Sequence, residues 1–324
     1  MAIAVIAIHT HPLENLENQE LLKIYRIIVN IAVPFFFITS SYLLFTKFYK
    51  SNEEKSILKN YIKKTIKLYI IWSIVYLPIS IYSCIINQEK IVKYIILYIR
   101  NFLLIGEHYY SWPLWYLLSL IYALVIIYFC KFNKRVRKFN LKEWKIAILF
   151  LFVFIIGNLI SYITTNIDNT SGVWYNIIRT IQITISNGRL LTGFFYVAIG
   201  MCIAKYGIYL DSKIALIGMI TSMILSYFFG GIIIFNLFLY FFTFELVITM
   251  NLRDNNIYSY LRKASTVMYF THMIFFFIWT LCVGTERCYG YRGFLFTLIG
   301  TIILSVIVIL VNERLKFRKN NIKL

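Results

Sequence analysis

The chain is short of acidic residues. Fourteen Asp and Glu stand against 33 Lys and Arg, a formal net charge of +19 over 324 residues. It is also short of the residues that punctuate soluble multidomain proteins, with four prolines and 14 glycines. No Pro/Gly/Ser linker and no internal repeat is readable, so one domain over 1–324 with no soluble appendage is expected. The five cysteines (Cys84, Cys130, Cys202, Cys282, Cys288) show neither metal-ligand spacing nor a disulfide framework. Cys282 and Cys288 fall near one face, but free thiols are the expectation. Phosphate-cradling glycine loops, HExxH and GxSxG are all missing, which leaves the chemistries tied to those motifs without support.

What is there is apolar surface. Hydrophobic residues make up 60% of the chain, more than a soluble domain can hide from water. A bilayer-spanning helix needs roughly 20 predominantly apolar residues. Nine such windows run at about 27–48, 65–87, 113–130, 145–165, 191–206, 213–230, 231–250, 265–283 and 294–311. A tenth apolar segment, Met1 to His9, is too short to cross. Its nine residues would rise only about 13.5 Å. Read as the outer end of a first helix, with residues expected upstream of Met1, it completes the pattern. The expected fold is all-α, a polytopic transmembrane helix bundle of about ten helices, the first truncated at the N-terminus. A cleaved signal peptide is not expected, since a basic n-region and a small-residue cleavage site are missing.

The basic residues orient the bundle. Lys47–Lys67 holds seven, Lys131–Lys145 seven, and Lys205 with Lys213 two. Arg253, Arg262 and Lys263 make three, the tail Arg314–Lys323 has five, and nine remain for the other loops. Positive loops stay cytoplasmic. Ten crossings then place both termini in the cytoplasm and the acidic stretch Glu14, Glu17, Glu20 outside, in a multi-pass cell-membrane protein. The positive surplus follows from topology and from anionic headgroups, and needs no nucleic acid partner. Ile91–Leu104 reads as an amphipathic interfacial helix with Lys93 and Arg100 on its polar side, and Val173–Ile185 is similar. Trp112, Trp115, Trp144 and Trp174 fall at membrane edges, where indoles usually sit. Gly230-Gly231 reads as the tightest outer turn.

Ionisable groups inside a bilayer are costly, so each is a functional candidate. His9 closes AIAVIAIH near the outer side, where it can take a proton from a hydroxyl; the bland alternative is an interfacial histidine touching headgroups. His9 and His11 do not form a metal site, because residues two apart diverge on a helix. Arg26 lies one turn before Asn30 and two before Pro34, on a shared face, with outward snorkelling as the alternative. Glu245 lies about one turn from the inner end of its helix, where snorkelling is expected. His272 is too deep to reach either surface easily, and an interhelical hydrogen bond is its commonest fate.

At these residues the chain resembles the acyltransferase family 3 membrane proteins. Within that family, the nearest likeness is to the membrane domain of the serine racemases of vancomycin-resistance clusters. The matching pieces are AIAVIAIHTHPL, AVPFFFITSSYLLF, LWYLLSLIYAL, GRLLTGFFYVAIGM and ASTVMYFTHMIFF, in family order. The resemblance implies that His9 is the catalytic histidine and that substrate contacts come from Arg26, Trp115, Tyr116, Arg189, Tyr269 and His272. It also matches Pro34 to Ser41 to a Pro-Phe-Phe-x-x-Ser-Gly element, with Ser41 in place of the usual glycine. Ser265 belongs to the match as well. The family's arginine about eleven residues before the histidine would precede Met1.

The resemblance further implies an enzyme that moves an acyl group, usually acetyl, from cytoplasmic acyl-CoA (acetyl-CoA) to a hydroxyl of a cell-envelope glycan or small acceptor, with no metal. The implied partners are the lipid bilayer and that acceptor. The competing reading is a carrier for a serine-like amino acid; facing carboxylates on broken helices would favour it, and only Glu245 is available. A third is a membrane anchor. Topology is directly testable. With the native cysteines replaced, Glu17→Cys should react with an impermeant thiol reagent on intact cells and Val136→Cys should not. The reverse pattern would invert the orientation and move His9 to the inner side.

Overall fold

The computed structural model describes residues 1–137, 141–165, 172–185, 188–229, 232–250 and 255–321. Lys138, the Gly230-Gly231 turn, Arg253 and the side chains of the basic tail from Lys316 onward lie outside the described residues. Among the described residues the regular structure is all helical. The helices are α1 (Ala2–Thr10), α2 (Gln19–Asn30), α3 (Ala32–Tyr49), α4 (Glu54–Ile86), α5 (Ile91–Arg100), α6 (Leu114–Phe132), α7 (Lys134–Arg137), α8 (Glu143–Thr165), α9 (Gly172–Ile185), α10 (Arg189–Tyr206), α11 (Ser212–Phe228), α12 (Ile233–Thr249), α13 (Asn256–Val283) and α14 (Tyr291–Asn321). Seven helical runs are long and apolar enough to cross a membrane, α2 and α3 counting as one run, and α11 and α12 are shorter apolar helices. Each of the nine apolar windows thus falls on a helix, and the chain is a polytopic helical membrane protein.

The helices form two compact units. One comprises Met1–Val33 with Leu210–Leu324, the other Pro34–Tyr209. In the first, α13 pairs with α14 and α11 with α12, while α1 packs on α13, α14 and α2. Buried Ala2 and Ile6 meet Met268, with Phe294 and Leu298 packed against them. The end of α1 is closely specified. His11 takes a left-handed conformation (φ 45°) and its N–H bonds the Ala7 carbonyl, a C-terminal cap followed at once by Pro12. The Thr10 carbonyl accepts the Gly290 N–H at 3.0 Å, and Tyr25 Oη donates to the Ala7 carbonyl at 3.0 Å. These bonds satisfy carbonyls that a helix end leaves open.

The interruption at Ile31, between α2 and α3, has a local cause. Pro34 has no N–H to return to the Asn30 carbonyl, and its ring crowds that carbonyl. Pro34 instead sits in the first turn of α3, where a donor would be unpaired in any case.

In the second unit α10 packs against α6 and α8, and α6 against α4. Gly193 and Gly200 let α10 approach. A Cβ at Gly193 would lie 2.3 Å from Ser119 Oγ, and one at Gly200 would lie 2.0 Å from Ser41 Oγ. Small residues at such crossings let backbones close up. Phe37, fully buried, stacks against Tyr116 (4.5 Å), Trp115 (5.8 Å) and Tyr196 (6.2 Å). At one end of this unit Glu143 accepts from Lys131 (2.6 Å) and from Tyr49 Oη (3.0 Å).

Two local expectations change. Trp115 is 8% exposed, buried behind Phe37 rather than at a lipid edge, while Trp144 and Trp174 are exposed. Glu245 does not snorkel. It is fully buried, because its Oε2 accepts the Leu210 N–H at 3.2 Å, a donor just before the cap of α11 with no helical partner.

The glycine contact yields a prediction. Gly200→Ala should destabilise the protein by about 1–3 kcal/mol through overpacking, and Ser41→Gly in the same chain should recover only part of it, because the Ile38 backbone carbonyl would still lie 2.3 Å from the new Cβ. Thermal unfolding in detergent checks this. Equal losses with and without the second change would show that Ser41 is not the group the new methyl meets.

Candidate functional site

The first unit brings His9 and His272 together. Their rings stack, with centroids 5.3 Å apart and planes 23° from parallel. His9 sits in the last turn of α1 and is part-exposed; His272, midway along α13, is fully buried. The expected interhelical hydrogen bond of His272 is not what its Nδ1 makes. That nitrogen lies 2.8 Å from the Tyr269 carbonyl and 3.2 Å from the Met268 carbonyl of its own helix. Carbonyls only accept, so Nδ1 carries the hydrogen and Nε2 is left as a bare acceptor. Nε2 is buried and has no hydrogen-bond partner among the described residues. An unmet buried acceptor costs about 1–3 kcal/mol, the kind of exception that calls for a functional reason. The Tyr269 ring lies 6.2 Å from His272.

Beside the end of α1 is a cavity of about 390 Å³ lined by His11, Glu14, Tyr25, Arg26 and Asn30, among others. The expected shared face of Arg26 and Asn30 therefore lines one wall of a largely apolar space, walled also by Ile8, Leu13 and Val29, that holds charges of both signs.

The second unit holds Trp115, Tyr116 and Arg189. Arg189 opens α10, where the helix dipole is unfavourable to a cation by about 0.3–1 kcal/mol. Two contacts offset this. The Glu107 carboxylate lies 3.3 Å from Nη1, and the guanidinium lies 5.6 Å from the Trp115 ring centre. Burial raises the Glu107 carboxyl above the usual carboxylate range, and Arg189 draws it partly back. Tyr116 Oη shares a hydrogen bond with Ser40 Oγ at 2.7 Å, so the tyrosine is anchored to α3.

Sequence reasoning passed over Glu107 and its neighbour His108. The only available signal was a carboxylate and one of four histidines in GEHYYSW, between an interfacial and a spanning helix. Gly106 makes their placement possible. Its φ of +83° ends a π-turn over Asn101–Ile105, and a Cβ there would lie 2.5 Å from the Trp115 Cα. His108 Nδ1 meets Ser80 Oγ at 2.7 Å, and Tyr94 Oη donates to the same Ser80 Oγ at 2.9 Å.

With this geometry in view, the comparisons are specific. Residues 1–311 match the acyltransferase domain of family 3. The chain belongs to this acyltransferase family. An amino-acid racemase of Enterococcus faecalis is 29% identical over 196 residues, 60% of this chain and 26% of that protein. A serine/alanine racemase of Enterococcus gallinarum is 37% identical over 84 residues, 25% of this chain and 12% of that protein. The chain thus spans about a quarter or less of the length of these relatives. No solved structure matches.

His108 carries a pH prediction. Burial pushes it down to about 4, below the ordinary value of about 6.5. Between these values the unfolded chain binds the proton and the folded chain does not, so stability rises with pH across that window. Lowering pH from about 6.5 towards 4 should therefore lower the melting temperature, and His108→Gln should flatten that slope. An unchanged slope in the variant would show that another group titrates.

Proposed function

We propose that this acyltransferase-family protein moves an acyl group, acetyl in the first instance, from cytoplasmic acyl-CoA to a hydroxyl of an extracytoplasmic or cell-envelope acceptor. The observation that carries the reading is the paired imidazoles at the end of α1. His9 is the member with exposure to meet a substrate. It takes the proton of the acceptor hydroxyl as that oxygen attacks the thioester carbon; the C–O bond forms, the C–S bond breaks, and the coenzyme thiolate leaves and recovers the proton from His9. In the unit that holds His9, Arg26 is a proposed substrate contact and Tyr269 flanks His272; within the other unit, Arg189, Trp115 and Tyr116 form a separate set of proposed substrate contacts. The Arg189 side chain is exposed while Glu107 is mostly buried, so the guanidinium is open on one side to an anionic substrate group.

The donor would approach the basic face. Between α3 and α4 a cavity of about 390 Å³ is lined by Lys47, Asn60, Tyr61 and Lys64, with apolar Leu43, Leu44 and Ile57 beside them, chemistry suited to phosphates on a thioester-bearing arm. A second reading is a carrier for a serine-like amino acid. It is favoured by the names of the relatives, which act on amino acids, and by the opposed charges of Glu14 and Arg26 around one cavity.

The deciding experiment uses the complete gene with labelled acetyl-CoA and inverted membrane vesicles. His9→Ala should lower acyl transfer by on the order of 10²–10⁴ while insertion and expression stay normal, since a part-exposed helix-end side chain leaves no large cavity. Transfer at the parental rate would sink the enzyme reading. Serine uptake that depends on Arg26 would then establish the carrier.

A further inference from the structure

We infer that His272 is the positioning partner of His9: its buried Nε2 lone pair receives the N–H of the His9 imidazolium once His9 has taken a proton. This deepens the proposed reading and rests on it for the chemistry, though not for the contact itself.

Three observations converge. The two carbonyls on Nδ1 lock the tautomer, so Nε2 can only accept while the ring is neutral. That lone pair is buried without a partner among the described residues, and His272 as a whole is fully buried, so a substrate cannot touch it without displacing protein. The ring it stacks on is that of His9, the imidazole that becomes cationic when a hydroxyl gives up its proton. The stack does not itself make that bond; it forms when the His9 side chain leaves the stacked arrangement and brings an N–H into the plane of the His272 ring, along the Nε2 lone pair. The lone pair is unmet in the resting state and met in the charged state. That is differential stabilisation of the state catalysis must reach, and it acts strongly because the surroundings are dry.

The other groups facing α1 do not replace this acceptor. From α2 come Tyr25, whose hydroxyl is committed to the Ala7 carbonyl, and Arg26, a cation. From α13 comes Tyr269. From α14 come Phe294 and Leu298. At the end of α1, His11 lies 5.4 Å from the Tyr289 ring, and Glu14 shares its cavity with Arg26.

The test begins with a readout that needs no turnover. With only four histidines in the chain, ¹⁵N-histidine spectra of the whole protein in micelles can be assigned using His11→Gln and His108→Gln. The pH at which His9 titrates should fall by roughly 1–2 in His272→Phe, the equivalent of one lost hydrogen bond to a charged group. It should fall less in His272→Gln, which keeps an acceptor oxygen. The acid limb of the acyl-transfer rate profile should move the same way. One lost hydrogen bond to a charged group is worth on the order of 10–100-fold in rate, and that loss should appear in kcat with KM for the acceptor unchanged. If His272→Phe does not fold, His272→Met removes the acceptor at similar volume. A folded variant in which His9 titrates as in the parent would overturn the inference. Should the shift appear while the parent transfers no acyl group, the His9–His272 partnership stands and the acyltransferase reading falls.

Discussion

Inside a bilayer a polar group must find its partner within the protein. Many hydroxyls among the described residues meet that constraint within their own helix. Thr10 bonds the Ile6 carbonyl, Ser73 that of Tyr69, Thr243 that of Leu239, Thr271 that of Val267, Thr280 that of Phe276, and Ser305 that of Thr301. These side chains are satisfied one turn back, others such as Ser40 with Tyr116 and Ser119 with the Leu190 carbonyl bond between helices, and Thr39, Thr46, Ser226 and Thr297 are buried without a partner among the described residues. The packing sets glycine against serine where α10 crosses its partners, and ring against ring around Phe37.

Two of the departures from that constraint are fully buried ionisable groups. His272 follows it with one nitrogen and breaks it with the other. Glu245 gives one oxygen to the Leu210 N–H and keeps the second buried without a partner among the described residues. The two differ in setting. Glu245 closes a helix junction, and its bonded oxygen accounts for its burial. His272 closes nothing; its second nitrogen is spent on no structural bond, and a second imidazole is stacked upon it. This contrast supports the role proposed for the histidine rather than one for the carboxylate.

The second unit handles charge differently. Arg189 is placed at a helix start, against the dipole, and is held by a partly exposed carboxylate and an indole face. A sharp π-turn and a left-handed glycine bring that carboxylate into reach. The arrangement is weak by design of its exposure: it orients a guanidinium without spending it, leaving a cation able to change partners.

What the sequence by itself determined is the local part. Apolar windows predicted the spanning helices, and His-Thr-His-Pro predicted the end of α1. Arg189 was legible at the head of its helix, and Pro34 accounts for the break before α3. These depend on neighbours within a turn or two, where hydropathy and backbone chemistry act. The tertiary structure alone decided which side of each helix faced another. Trp115 was legible as an interfacial indole and is a core residue, because Phe37 from another helix covers it. Glu107 carried almost no signal, because its meaning lies in Arg189 far along the chain. His9 and His272 were each legible as costly polar groups, but not as a pair. An apolar helix reads much the same all round, so its period cannot say which turn of α13 meets which turn of α1. Only the packing of side chains between helices sets that register.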